Sequence, residues 1–359
     1  MRRGNITKRG QDSWQLKFDV QSIDGKRQQR YATVKGSYKD AQKELTRLLE
    51  ARDTGKLPNA TRDTVAEFLH RYLAGMVSVA PKTLERYLEL AERQINPHLG
   101  TEKIRYLTRE QVEAWHKTLL GKGLAAATVR QADAVLAKAL KRVKNTAALE
   151  REKPRPDDTK VEILGPGDAK AALASLEGHY LHPIAFLALH TGMRRGELLG
   201  LQWRDVNLDD ATLRVERSLE QTKAGLRLKE PKTRSGKRTV TIDADAADML
   251  RKHRIEALEQ RMACGIGGKI DDVPVFSFLG EQIPPDKVSR DWRRNAKASV
   301  TFHSLRHTHA STLLNGGIDI ITVSRRLGHS KPSITLDVYG HTIKGSDERA
   351  AAVIAEALK

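Results

Sequence analysis

The sequence predicts a multidomain, mainly α-helical chain with small β-sheets, and three observations carry that expectation. Residues 1–56 open on two runs of alternating apolar and polar residues followed by one helical stretch. Residues 62–150 hold four stretches with apolar residues three and four apart, and residues 161–359 mix such stretches with a few β-rich ones. A chain of 359 residues is also long for one core, so two or three domains are expected.

In the first part, "SWQLKFDV" and "RQQRYATV" flank Asp24 and Gly25, a turn pair that favours a hairpin. Ser37 and Asp40 form a capping signature before "KDAQKELTRLLEAR", and Gly55 stands where that helix would end. The expectation is a small α+β unit, a sheet backed by one helix.

The second part reads "TVAEFLHRYL", "TLERYLELAERQI", "REQVEAWHKTLL" and "ATVRQADAVLAKALKRV", with Thr108 and Gln111 as another capping pair. Four helices with one apolar stripe each make an all-α bundle whose polar faces remain open to a partner. The charged run "EREKPRPDDTK", interrupted by Pro154 and Pro156, reads as an exposed linker.

The third part is mixed α/β. "ATLRVERSL", "GLRLKE" and "KRTVTI" are β-rich, and the last two flank "PKTRSG", where Ser235 and Gly236 suit a hairpin turn. Helices are expected at about 243–262 and 285–297, and in three stretches beyond 303.

The charge narrows the partners. Lys and Arg number 63 against 45 Asp and Glu, a formal +18. Residues 1–60 hold 14 basic and 7 acidic groups, residues 61–160 hold 19 and 13, and the rest 30 and 25. An excess spread along the chain suits a polyanion that runs past several domains. The single cysteine, Cys264, excludes an intramolecular disulfide and a CxxC metal site and fits the reducing cytosol. No apolar run approaches the roughly 20 residues that span a bilayer.

"TFHSLRHTHA" (301–310) is the densest chemistry. The apolar stripe of Phe302, Leu305, Ala310, Leu313 and Leu314 predicts a helix on which His303 and Arg306 share a face. His303 and His307 have the spacing of a metal-binding HxxxH, but Ser304 stands where a zincin carries its glutamate. A permanently charged guanidinium beside the imidazole suits a phosphate and repels a metal dication. No metal is expected, and His307 and His309 are read as packing or solvated positions.

Other stretches complete a pattern. "LALHTGMRRGELLGLQWRDV" holds Arg194 after a Thr-Gly turn, "EPKTRSGKRTV" holds Lys232 near the expected hairpin tip, and "RRLGHSKPSITLDVYGH" holds His329 and, ten residues later, Tyr339. The ordered set Arg194, Lys232, His303, Arg306, His329 and Tyr339 resembles the catalytic pattern of the tyrosine recombinases, or phage integrases. The strings "TGMRRGELLGL", "HSLRHT" and "LGHS" match as well, and Glu197 fits the acidic partner often found three residues after the first arginine.

The resemblance implies a catalytic domain over 161–359, a core-binding bundle over 62–150 and an arm-site DNA-binding domain over 1–56. It implies cleavage and rejoining of DNA through a 3′-phosphotyrosine, with Tyr339 as nucleophile and no metal or nucleotide cofactor. Arg194, Arg306 and His329 would stabilise the phosphate, Lys232 would protonate the leaving 5′-hydroxyl, and His303 would exchange the Tyr339 proton. The implied partners are double-stranded core and arm DNA, a homotetramer on that DNA and a directionality factor, in the nucleoid of the cytoplasm. A chromosome-dimer resolution recombinase and a non-catalytic DNA-binding regulator are the alternatives. The first lacks the extra basic amino-terminal domain, and the second would lack a catalytic residue. His341 has no assigned role, and the tail "DERAAAVIAEALK" is expected to be an amphipathic helix able to pack on a neighbouring subunit.

Overall fold

The computed structural model describes residues 4–21, 27–53, 63–155, 161–231, 234–340, 351 and 354–358. The chain divides into two compact units, residues 1–78 with 86–157 and residues 79–85 with 158–359.

The first unit opens with an antiparallel sheet of β1 (Asn5–Gly10), β2 (Ser13–Gln21) and β3 (Arg27–Lys35), followed by α1 (Tyr38–Asp53). Alternation along β2 turns Leu16 and Phe18 to one face, where they pack with Ala41 and Leu45 of α1. The Asp40 carboxylate accepts hydrogen bonds from Ser37 N at 2.9 Å and Ser37 Oγ at 2.7 Å, the cap expected from the sequence. The sequence pattern does not predict β1. It is an edge strand in which Ile6 alone turns partly inward, so it has no alternation to read. The expected turn at Asp24–Gly25 and the stop at Gly55 lie outside the described residues.

The helical part follows as α2 (Val65–Ala74), α3 (Pro81–Leu90), α4 (Asn96–Leu99), α5 (Arg109–Gly121) and α6 (Ala126–Arg142). Leu69, Ile95, Val112, Trp115, Val129 and Leu136 form part of its buried stripe. Thr108 and Gln111 make the expected capping box on α5. The third-and-fourth periodicity of "TLERYLELAERQI" does not continue as one α-helix. Ala91–Ile95 form a π turn, and the buried Trp115 donates its indole N–H to Gln94 O there at 2.8 Å.

In the run "EREKPRPDDTK" Glu150, Glu152, Lys153 and Arg155 are exposed as expected, and Arg151 is the departure. Arg151 is buried and grips Asp133 of α6 through Nε at 2.5 Å and Nη2 at 2.8 Å, while His116 Nε2 of α5 stands 3.0 Å from the same carboxylate. A buried carboxylate needs a fully engaged cation, and this one takes it from the chain that leaves the bundle. Residues 156–160 lie outside the described residues.

The second unit contains α7 (Pro166–Ala174), α8 (Leu181–Thr191) and α9 (Arg195–Leu199). Strands β4 (Val206–Asn207), β5 (Thr212–Val215), β6 (Ser218–Thr222), β7 (Gly225–Lys229) and β8 (Arg238–Thr241) come next. Helix α10 (Ala244–Ala263), a short ribbon of β9 (Ser277–Phe278) and β10 (Glu281–Gln282), and α11 (Pro285–Asn295) precede α12 (Ser304–Asn315), α13 (Ile320–Leu327) and α14 (Pro332–Tyr339). Ile184 and Leu187 of α8, Leu213 of β5, Trp292 of α11 and Leu305 of α12 share one buried core.

"GLRLKE" and "KRTVTI" do not pair with each other. β7 forms its hairpin with β6, whereas β8 joins β5 and β4 in a separate sheet. The segment between β7 and β8 is therefore a crossing from one sheet to the other, and a short 3₁₀ turn at Arg234–Gly236 takes the place of a hairpin tip. Both strands carry similar β propensity, and pairing is chosen by tertiary packing that propensity does not encode. Of the carboxy-terminal tail, residues 354–357 are helical with Ile354 exposed, and most of the remainder lies outside the described residues.

Candidate active site

The site is built on two glycine turns. Helix α8 ends at Thr191, and Gly192 closes it in the left-handed conformation, φ 65°. A Cβ there would lie 2.6 Å from the His309 ring, so conformation and close approach both require glycine. The chain then enters α9 through Arg194. Glu197 accepts from Arg194 N at 2.9 Å and from Arg194 Nη1 at 2.8 Å, so one buried carboxylate caps α9 and aims the guanidinium. The Arg194 side chain stays 41% exposed. Helix α13 ends in the same way, with Gly328 at φ 70° and His329 immediately after it.

Arg306 joins the two turns. Its buried guanidinium donates Nη1–H to Gly192 O at 2.6 Å and Nη2–H to Leu327 O at 2.7 Å, binding the approach to Arg194 and the approach to His329 onto α12. Burial first, then the positive charges of Arg194 and Arg238, lower its pKa to about 9, which leaves it cationic at neutral pH.

Arg238 is a second clamp, one that motif reading does not single out. From β8 it donates to Glu197 Oε2 at 2.8 Å, to Arg326 O at 2.7 Å and to Gly236 O at 3.2 Å. Burial pushes the Glu197 carboxyl up, but the hydrogen bond and charge of Arg238 with the charge of Arg194 outweigh it, and the pKa lies below the ordinary value. Arg238 therefore ties together the Arg194 support, the turn that follows Lys232 and the end of α13 that leads to His329.

His303 stands at the first turn of α12, just ahead of Ser304, with its ring edge-on to His307 at 4.9 Å between centroids. Desolvation by the surrounding cleft lowers its pKa, followed by the charges of His307, Arg306, Arg194 and Arg195. His303, Thr301 and Phe302 line a cleft of about 510 Å³ with Arg194, Arg195 and Arg293. His329 Nδ1 lies 2.8 Å from the hydroxyl of the buried Thr335, and burial followed by Arg306 and Arg194 pushes its pKa down to about 4. Both imidazoles are neutral at pH 7.

Tyr339 ends α14 and is 1% exposed, packed with Ala310, Leu314, Val323 and Leu327. Its hydroxyl lies 2.7 Å from His307 Nδ1. Burial raises the phenol pKa, against the opposing pull of Arg306 and Arg194. Of the six residues singled out in the sequence, His303, His329 and Tyr339 thus all lie within electrostatic reach of Arg194 and Arg306. The sixth, Lys232, lies outside the described residues.

Two histidines read as bystanders have defined partners. His307 meets the Tyr339 hydroxyl. His309 is buried, accepting from Arg326 Nε through Nε2 at 3.1 Å, which leaves Nδ1 as the protonated nitrogen that donates to Leu189 O at 2.7 Å. The HxxxH spacing is the sequence signal that sets His307 apart, and the partner it meets in the structure is Tyr339 of α14.

The match with known proteins agrees with this geometry. Residues 170–345 match the model of the phage integrase family, and residues 64–120 match that of the phage integrase N-terminal SAM-like domain. A XerC-like tyrosine recombinase of Caldanaerobacter subterraneus is 30% identical over 316 residues, covering 78% of this chain and 80% of that protein. An integrase of Streptomyces ambofaciens is 26% identical over 344 residues, covering 88% and 86%. In fold, the chain is similar to lambda integrase, solved as a tetramer bound to a Holliday junction, with a TM-score of 0.58 at 18% identity over 93% of this chain and 94% of that one. The chain belongs to the phage integrase family of tyrosine recombinases, enzymes that cleave and rejoin DNA.

Proposed function

We propose that this recombinase integrates and excises a mobile genetic element, with Tyr339 as its nucleophile. The observation that carries the reading is the convergence of Arg194, Arg306, His303 and His329 with one buried tyrosine beside an arginine-lined cleft. A free phenol, pKa about 10, is ionised to roughly one part in a thousand at neutral pH, so it needs a proton acceptor and a stabilised phosphorane. Arg194 and Arg306 supply fixed positive charge to the non-bridging oxygens. If the Thr335 hydroxyl donates to His329 Nδ1, the ring proton sits on Nε2 and His329 adds a neutral donor. Lys232 is proposed as the acid for the leaving 5′-hydroxyl.

Residues 1–56 would bind arm sites, 62–150 core sites, and 161–359 perform the chemistry. The spread positive charge supports double-stranded DNA as partner, and the likeness to an integrase solved as a tetramer on a Holliday junction supports a homotetramer. A directionality factor would select excision, and the nucleoid of the cytoplasm would be the place of action. Among the described residues no helix is long and apolar enough to cross a membrane. The sheet of β1–β3 with α1 ahead of the helical part favours an integrase over a chromosome-dimer resolution enzyme.

A nicked suicide substrate tests this. Tyr339→Phe should bind core DNA and form no covalent complex, and an adduct on that variant would remove Tyr339 from its role. Lys232→Ala should be slow on ordinary DNA and recover on a 5′-bridging phosphorothiolate, whose thiolate leaves without an acid.

A further inference from the structure

We propose that His307 takes the proton of Tyr339 as its oxygen attacks phosphorus and returns that proton on rejoining. This rests on Tyr339 being the nucleophile. The motif resemblance offers His303 for the task, but the geometry divides the two histidines. His303 sits on the cleft wall with Arg194, Arg195 and Arg293, where a phosphodiester would lie. His307, one turn further along α12, points Nδ1 at the Tyr339 oxygen at 2.7 Å. The imidazole and phenol rings are tilted by 55° with centroids 5.6 Å apart, so the contact runs through the nitrogen and is not a face-to-face stack.

An acceptor must be unprotonated beforehand, and burial followed by the Arg306 charge lowers the His307 pKa. Among the described residues, the groups around it are His303 just ahead of α12, Arg306 on α12 and Tyr339 on α14, with no carboxylate among the charges that act on it. In cleavage the Oη–P bond forms as the P–O5′ bond breaks. The phenolic proton passes to Nδ1, and the 5′-oxygen takes a proton from the general acid. The resulting imidazolium would stand beside Arg306, and among the described residues no anion is placed to balance it. The phosphorane supplies that anion, so proton transfer is favourable only with DNA in place, and the tyrosine stays neutral in the unbound enzyme.

The test uses the full chain and single-turnover cleavage of the suicide substrate. Asparagine keeps an acceptor close to the Nδ1 position and cannot hold a proton. His307→Asn should form covalent complex about 10²- to 10⁴-fold more slowly, with core-site affinity unchanged. Fluorinated tyrosine at 339, whose phenol is more acidic, should restore at least tenfold of that loss. Cleavage by His307→Asn within threefold of the parent overturns the proposal, and so does a slow variant that fluorotyrosine fails to rescue, which marks a tether only. Tyr339→Phe run alongside separates the two readings, since an adduct on that variant defeats the nucleophile assignment whatever His307 does. If His307→Asn does not fold, ¹⁵N-histidine NMR of the unaltered chain decides at pH 7. An unprotonated Nδ1 supports the proposal, and a protonated one overturns it.

Discussion

Glu197→Gln changes one charge and almost no shape, and the geometry sets what it should cost. The carboxylate holds Arg194 N, Arg194 Nη1 and Arg238 Nη2. Glutamine offers one acceptor oxygen; placed at Oε2 it keeps both the α9 cap and the bond from Arg238 Nη2, and its amide nitrogen then faces Arg194 Nη1 donor to donor. The Arg194 side chain is 41% exposed, so its half of the network is screened and contributes about 0–1 kcal/mol. The Arg238 side chain is 7% exposed, and it keeps a hydrogen bond but is left a buried cation without its countercharge, a cost of about 3–5 kcal/mol. Arg238 retains its carbonyl partners, which favours the lower end, so the expected loss is about 3 kcal/mol. For a unit of this size that corresponds to a Tm lowered by about 6–12 °C. Calorimetry on the full chain should show it, with hydrogen exchange in α9 and α12 assigning the transition to the second unit. The sign against pH is also set. The folded pKa of Glu197 lies below its unfolded value, so its stabilisation is complete above about pH 4.5 and is lost as pH falls through the folded pKa. The gap between parent and variant should therefore close under acid. A Tm within 2 °C of the parent at pH 7, or a gap that persists at low pH, would refute the assignment of Glu197 as the carboxylate that holds both arginines.

Two other buried networks give independent expectations. Arg151→Met should destabilise the helical part by about 3–5 kcal/mol, because Asp133 is left buried with His116 as its remaining side-chain partner. Hydrogen exchange in α5 and α6 should accelerate, and adding Asp133→Asn should recover part of the loss; unchanged protection would contradict a structural role for the ion pair. His309 has a folded pKa of about 4 against an unfolded value of about 6.5, so its neutral form stabilises the fold above about pH 6.5 and that contribution drains away as pH falls toward 4. For a residue 7% exposed this amounts to about 3 kcal/mol in all. Urea midpoints of the parent and His309→Gln should converge between pH 7 and pH 5, and parallel curves would count against it.

What the sequence shows here is local, and what it hides is pairing. The helices of the second part were readable because each carries its own apolar stripe, and Ser37–Asp40 and Thr108–Gln111 because a cap is complete within four residues. The strings around Arg194 and His329 were readable because each residue follows a glycine turn in its own segment, whereas the carbonyls that Arg306 holds lie in two other segments. The partner of β8 was not, since β5 and β7 offer similar strands and the choice depends on the core beneath. Arg151 looked like linker charge because its carboxylate lies 18 residues back on another helix turn. His307 looked idle for the same reason. Its partner is 32 residues ahead, and only the return of α14 across α12 brings the two together.

That distinction also governs how substitutions at the two central arginines should be read. Arg306 spends two of its N–H donors on Gly192 O and Leu327 O, the carbonyls that precede Arg194 and His329. Lysine presents a point charge and cannot span both carbonyls as a planar fork does, so Arg306→Lys would let two glycine turns move apart and displace Arg194 and His329 together. An inactive Arg306→Lys therefore reports the loss of a scaffold as much as the loss of a phosphate contact. Arg194 differs, because its main chain is held by Glu197 through the α9 cap while its side chain opens on the cleft. Arg194→Lys leaves that cap and the Arg306 clamp in place, and a drop in cleavage can be assigned to the guanidinium that opens on the cleft.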